Sequence, residues 1–84
     1  MKGDVVIVRA FGGMPLVRRV WAESGETIAV ASEDVYLALE AGKTAPIPIG
    51  FPSGSVYPYD PETAHKLASG RVKWADLRAL VTTR

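Results

Sequence analysis

Five of the chain's six prolines, Pro46, Pro48, Pro52, Pro58 and Pro61, fall in one short stretch, and only Pro15 lies elsewhere. Proline has no N–H to give to a sheet ladder, so this stretch cannot supply a central strand. Alternation nevertheless survives within it, with Ile47, Ile49 and Phe51 on one side. The stretch therefore reads as an edge strand, or as one that joins its sheet late. Pro52-Ser53-Gly54-Ser55 then reads as a turn, in its tightest form a single 3₁₀ turn, and VYPY (56–59) as a brief return to strand.

The elements around it follow from local pattern. DVVIVRAF (4–11) is β-branched and too short for a helix, which predicts a largely buried strand. Gly12-Gly13 supplies the positive-φ freedom of a turn. MPLVRRVWAE (14–23) reads as a second strand, with Leu16, Arg18 and Val20 on one face and Val17, Arg19 and Trp21 on the other. The two arginines thus point in opposite directions, and at least one sits beside apolar neighbours. Ser24-Gly25-Glu26 makes the next turn and TIAVA (27–31) a third strand, completing an antiparallel meander.

The pattern then becomes helical. SEDVYLALEAG places Ser32 at an N-cap, Glu33 and Asp34 in the first turn and Gly42 past the end, a short helix within 32–42 whose apolar stripe is Val35, Ala38 and Leu39. Asp60-Pro61-Glu62 starts a second helix, which carries Ala64, Leu67 and Ala68 inward and stops at Gly70. Trp74, Leu77 and Leu80 or Val81 form a weaker stripe, extending the helical segment over 60–81. The expected order is β-β-β-α-β-turn-β-α-α, mainly β with short helices, in a single domain over residues 1–84.

Composition narrows the classes. With 48% hydrophobic and 23% charged residues the chain is globular in character. It has no cysteine, which excludes disulfides and thiolate metal sites and fits a cytoplasmic setting. The opening MKGDVVIVRAF is interrupted by Asp4 and Arg9 and is too short for a signal peptide or a membrane span, so the expectation is a complete small protein with no membrane partner. Charge is segregated. Residues 1–21 carry four bases against Asp4, residues 22–62 seven acids against Lys43, and residues 63–84 five bases against Asp76. Such a distribution can steer a charged partner, although small domains also scatter charge unevenly.

Three meandering strands, a late strand, a one-turn break and a short closing strand make the order of a small SH3-like β-barrel. IGFPSGSVYPY resembles that fold's last strands and the 3₁₀ turn between them, and the resemblance covers residues 3–59 with a helical insertion near 32–42. Gly3-Asp4-Val5-Val6-Ile7-Val8, followed by a second strand opening at Pro15, also resembles the plasmid-maintenance ribonuclease toxins of the MazF/PemK type. That family places a basic residue before the proline of its second strand, where this chain has Met14, so its catalytic arginine does not carry over. Leu16-Val17-Arg18-Arg19-Val20 is similar to the catalytic strand of LexA-type self-cleaving repressors. Arg18 occupies the lysine position there and stays protonated, so it cannot serve as the base.

No catalytic constellation emerges. Glu62 and the sole histidine, His65, share a helix face but lack the further ligands a metal needs. Gly42-Lys43-Thr44 ends like a phosphate loop, yet Leu37 stands where the first glycine would be, and the segment follows a helix instead of leading into one. Ser53 and Ser55 read as turn residues, and the neighbours Glu33 and Asp34 diverge on their helix. No cofactor or metal is implied.

Two candidate binding patches remain. Tyr57 and Tyr59 share a face if extended and, with Phe51, Pro52 and Pro58 nearby, suggest an aromatic groove for an extended peptide. The same prolines equally serve to close the barrel and protect its edge. Arg9, Arg18, Arg19 and Trp21 lie on neighbouring strands, and arginines beside an aromatic can grip phosphates and stack on bases. Whether Arg18, Arg19 and Trp21 are surface or core is open at this level. The expected function is a binding module without chemistry of its own, engaging a protein through the aromatic/proline edge. The alternative is contact with single-stranded RNA or DNA through Arg9, Arg18, Arg19 and the basic tail, as in a divergent toxin-type ribonuclease. Small barrels often pair, so a homodimer is compatible with either.

Overall fold

A computed structural model describes residues 2–77. The element order is β1 (Val5–Arg9), a 3₁₀ turn (Phe11–Gly13), β2 (Pro15–Ser24), β3 (Thr27–Ala31), α1 (Glu33–Glu40), β4 (Ile49–Pro52), a 3₁₀ turn (Ser53–Ser55), β5 (Val56–Pro58), α2 (Pro61–Ala68) and a last 3₁₀ turn (Trp74–Asp76). The strands form one antiparallel sheet in the order β4-β3-β2-β1-β5. The chain is mainly β with short helices, as its patterning predicts.

The strand order has a geometric consequence. β4 and β5 lie at opposite edges, yet only Ser53–Ser55 separates them in sequence. A flat five-stranded sheet would hold its edges about 19 Å apart. The four residue steps from Pro52 to Val56 reach about 14 Å at most. The sheet must therefore roll towards itself at that corner. The β4–β3 and β5–β1 ladders do not continue into a β4–β5 ladder, so the sheet is rolled but not closed by hydrogen bonding. This corrects the closed barrel expected from the SH3-like order.

Rolling creates the core. Val6 and Val8 of β1, Val20 of β2, Ile28 and Val30 of β3 and Val56 of β5 are buried on the concave face, and Leu16 and Phe51 pack against them. Each of these aliphatic side chains contributes about 1.5–3 kcal/mol when fully removed from water. β1 is buried on both faces. Ile7 points to the convex side, where its register partners are Val17 of β2 and Tyr57 of β5. That explains why DVVIV reads as a continuous apolar run and not an alternating one.

In β2 the register shifts between Val20 and Ala22, a β-bulge that leaves Trp21 as the extra residue. The helices begin at their expected caps. Ser32 Oγ accepts a hydrogen bond from the Val35 N–H at 3.4 Å, and Asp60 Oδ2 accepts one from the Thr63 N–H at 3.0 Å. β4 starts only at Ile49, opposite Val30, because Pro46 and Pro48 keep the preceding chain off the ladder.

Two expectations for the C-terminal region are corrected. Ala68 is exposed, and Leu67 is the buried residue of α2. The helical segment expected over 60–81 is interrupted: α2 ends at Ala68, and Trp74–Asp76 forms a single 3₁₀ turn because its anchor is tertiary. The Trp74 indole N–H donates to the Gly13 carbonyl at 2.8 Å, tying this turn to the β1–β2 connection. Leu80 and Val81 lie outside the described residues.

Candidate functional site

The mouth of the rolled sheet, between β3, the start of α1 and β4, holds a groove of about 210 Å³. Leu16, Val30, Val35 and Phe51 line its interior, and the chain from Pro46 to Ile49 forms a border. Two aliphatic residues on that border are unusually open to solvent: Ile47 is 86% exposed and Ile49 65%. The alternation that groups Ile47, Ile49 and Phe51 holds, since all three line the groove. Only Phe51 reaches the core. The cause is the pair of prolines, which hold Ile47 and its neighbours beside the sheet without pairing to it.

Among the described residues, Arg18 is the single charged one lining the groove. Strand alternation puts it there, between Leu16 and Val20 on the concave face and opposite Val6 of β1. Its Nη1 donates to the adjacent Val17 carbonyl at 2.8 Å. None of the ion pairs among the described residues includes it.

Arg19 faces the other way, towards Gly3 and Glu33. Its Nε donates to the Gly3 carbonyl at 3.0 Å, and Nη1 donates to both carboxylate oxygens of Glu33 at 3.1 Å. The guanidinium carbon lies 4.1 Å from the ring centroid of Tyr36. The Glu33 hydrogen bond, more than any other influence, raises the Arg19 pKa above its ordinary value. Tyr36 in turn meets Trp21 edge-on, with centroids 5.7 Å apart and planes at 82°. Lys2 Nζ sits 4.1 Å above the Trp21 ring and 2.9 Å from Glu40, whose hydrogen bond is the main cause of a raised Lys2 pKa. This cluster ties α1 to β2 and the N-terminal turn.

The two sequence-predicted patches are therefore distributed. Arg18 lies in the concave groove. Arg19 and Trp21 are bound into the Tyr36 cluster. Arg9 is exposed near Trp74, its guanidinium carbon 6.0 Å from that ring centroid. These four residues do not form one continuous basic surface. Of the aromatic trio, Phe51 is in the groove, whereas Tyr57 packs on Trp74 with centroids 5.3 Å apart. Tyr59 is 39% exposed beyond the end of β5. Phe51 and Tyr57 thus serve opposite faces of the sheet.

Sequence reasoning passed over Leu16, Val35, Ile47 and Ile49 as site residues. The available signal was Ile47 and Ile49 themselves, large aliphatics in a proline-broken segment that cannot pair fully. Glu62 forms an i,i+4 ion pair with Lys66 at 3.6 Å, and His65 is exposed. Among the described residues no cluster of histidines and carboxylates could hold a metal ion, and no helix is long and apolar enough to cross a membrane. Comparison with family models, curated proteins and solved structures returned no match, so the toxin-type resemblance rests on the quoted N-terminal residues alone.

Proposed function

We propose that the chain is a protein-binding module whose concave groove receives an extended, partly apolar segment of a partner. The observation that carries this reading is the exposure of Ile47 and Ile49 on the border of an apolar groove. Contiguous exposed apolar surface of this kind is characteristic of interaction sites. β4 is an edge strand, and its prolines limit open-ended strand addition without covering the groove. The reading keeps the peptide-binding role expected from the sequence and moves it from the Tyr57/Tyr59 edge to the Phe51 side of the sheet. A nucleic-acid role draws less support, because Arg9, Arg18 and Arg19 face different directions.

The test is a display library of random decapeptides, panned in parallel on the protein and on its Ile49→Asp variant. Peptides retained only by the unaltered protein, with amide NMR shifts centred on Ile47, Ile49 and Phe51, support the groove. Shifts centred on Tyr57 and Tyr59 would relocate docking to the β5 edge. Steeply salt-sensitive binding of single-stranded RNA, with no groove-dependent peptide, would favour nucleic acid.

A further inference from the structure

Arg18 gives the groove a chemical preference. A guanidinium has five N–H donors, and Arg18 directs one of its groups to the neighbouring Val17 carbonyl. The border segment, residues 44–52, contains no acid that could neutralise it. Among the described residues its surroundings in the groove are otherwise uncharged: Val8, Leu16, Val30 and Phe51 beside the core, Ile47 and Ile49 outside. The planar fork of arginine matches both oxygens of a carboxylate.

We infer that the groove's occupant is an extended protein segment carrying one aspartate or glutamate between apolar residues. Its carboxylate sits on Arg18, and its apolar side chains sit on Ile47, Ile49 and Phe51. This inference rests on the groove reading above and adds the chemistry of the partner. A single cation among apolar walls suits one carboxylate flanked by apolar groups. A nucleic-acid strand needs several cations along its phosphates, and Arg9 and Arg19 are not in the groove to provide them.

The experiment uses the same decapeptide library with a third target, Arg18→Met, which removes the charge while keeping a linear apolar stem. On the unaltered protein, retained peptides should share an acidic position beside apolar ones. In a synthetic copy of the best binder, Glu→Gln or Asp→Asn should weaken binding about tenfold. On Arg18→Met the acidic and amide peptides should bind alike. Retained peptides with no acidic position, or an acid preference that survives Arg18→Met, would overturn the carboxylate assignment; if Ile49→Asp still abolished their binding, the groove itself would stand. Peptides bound equally by Ile49→Asp, or none retained at all, would overturn both the groove and the assignment. Sedimentation of the free protein decides the remaining case: a dimer dissociated by Ile49→Asp would make a second copy the occupant and overturn the inference.

Discussion

Arg19 lies over the ring of Tyr36, its guanidinium carbon 4.1 Å from the ring centroid, and the same side chain bonds Gly3 and Glu33. One residue of β2 thereby fastens both the N-terminal turn and α1 to the sheet. Among the described residues its neighbour Arg18 has one side-chain hydrogen bond, to the adjacent carbonyl. The two arginines, identical in sequence terms, should behave differently under the same substitution. Arg19→Met should lower Tm by several degrees, while Arg18→Met should leave it nearly unchanged. Parallel thermal melts followed by circular dichroism check this. Equal losses in both variants would mean that Arg18 also has a structural role.

How much of this was legible in the sequence depends on the distance over which each feature is determined. Ser32 and Asp60 act within three residues, so both helix starts could be read directly. Pro46 and Pro48 forbid local pairing, so the late entry of β4 could also be read. Tyr36 could not. The stripe of Val35, Ala38 and Leu39 drew attention to one side of α1, whereas Tyr36 is buried by partners on β2. Trp74 looked like a helix residue because its anchor, Gly13, lies 61 positions away. The groove is harder still, since it depends on how far the sheet rolls and takes its walls from separate strands and α1. Alternation could assign Arg18 and Phe51 to faces, but it could not show that those faces meet.

The Trp74 indole holds the β1–β2 turn from a distance, and its two contributions can be separated. Trp74→Phe keeps an aromatic ring against Tyr57 and removes the N–H that bonds Gly13. The expected loss is about 0.5–1.5 kcal/mol, the net worth of one such hydrogen bond. Trp74→Ala removes the ring packing as well and should cost more. Urea unfolding of both variants gives the comparison. A Phe variant as unstable as the Ala variant would assign the whole effect to the hydrogen bond.

The Lys2–Glu40 contact makes a prediction about pH. Glu40 raises the Lys2 pKa through its hydrogen bond at 2.9 Å, with its charge adding to the effect. The folded state therefore holds this proton more tightly than the unfolded state. The stabilisation is complete below the ordinary lysine pKa and is lost as pH rises through the elevated folded value. The difference in urea midpoint between the protein and Lys2→Met should stay constant from neutral pH to about 9.5 and narrow above about 10.5. In a Glu40→Gln background that alkaline narrowing should disappear. A gap that stayed constant through high pH would show that the hydrogen bond is not formed in solution.

Gly50 lies in β4 between Ile49 and Phe51, and a Cβ placed on it would sit 2.9 Å from Cγ2 of Thr27 on β3. Two effects oppose each other there. Replacing glycine by alanine reduces the freedom of the unfolded chain and would stabilise the protein by about 0.4–1 kcal/mol if the site had room. Thr27 is β-branched and stiff at χ1, so its methyl cannot turn away cheaply. Overpacking of this kind costs about 1–3 kcal/mol. Gly50→Ala alone should therefore be destabilising. Thr27→Ser removes the obstructing methyl, and in that background Gly50→Ala should become neutral or stabilising. A double-mutant cycle from urea unfolding measures the coupling directly. Coupling near zero would mean that β4 shifts to accommodate the methyl. The groove border carrying Ile49 would then be compliant, and a partner could reshape it on binding.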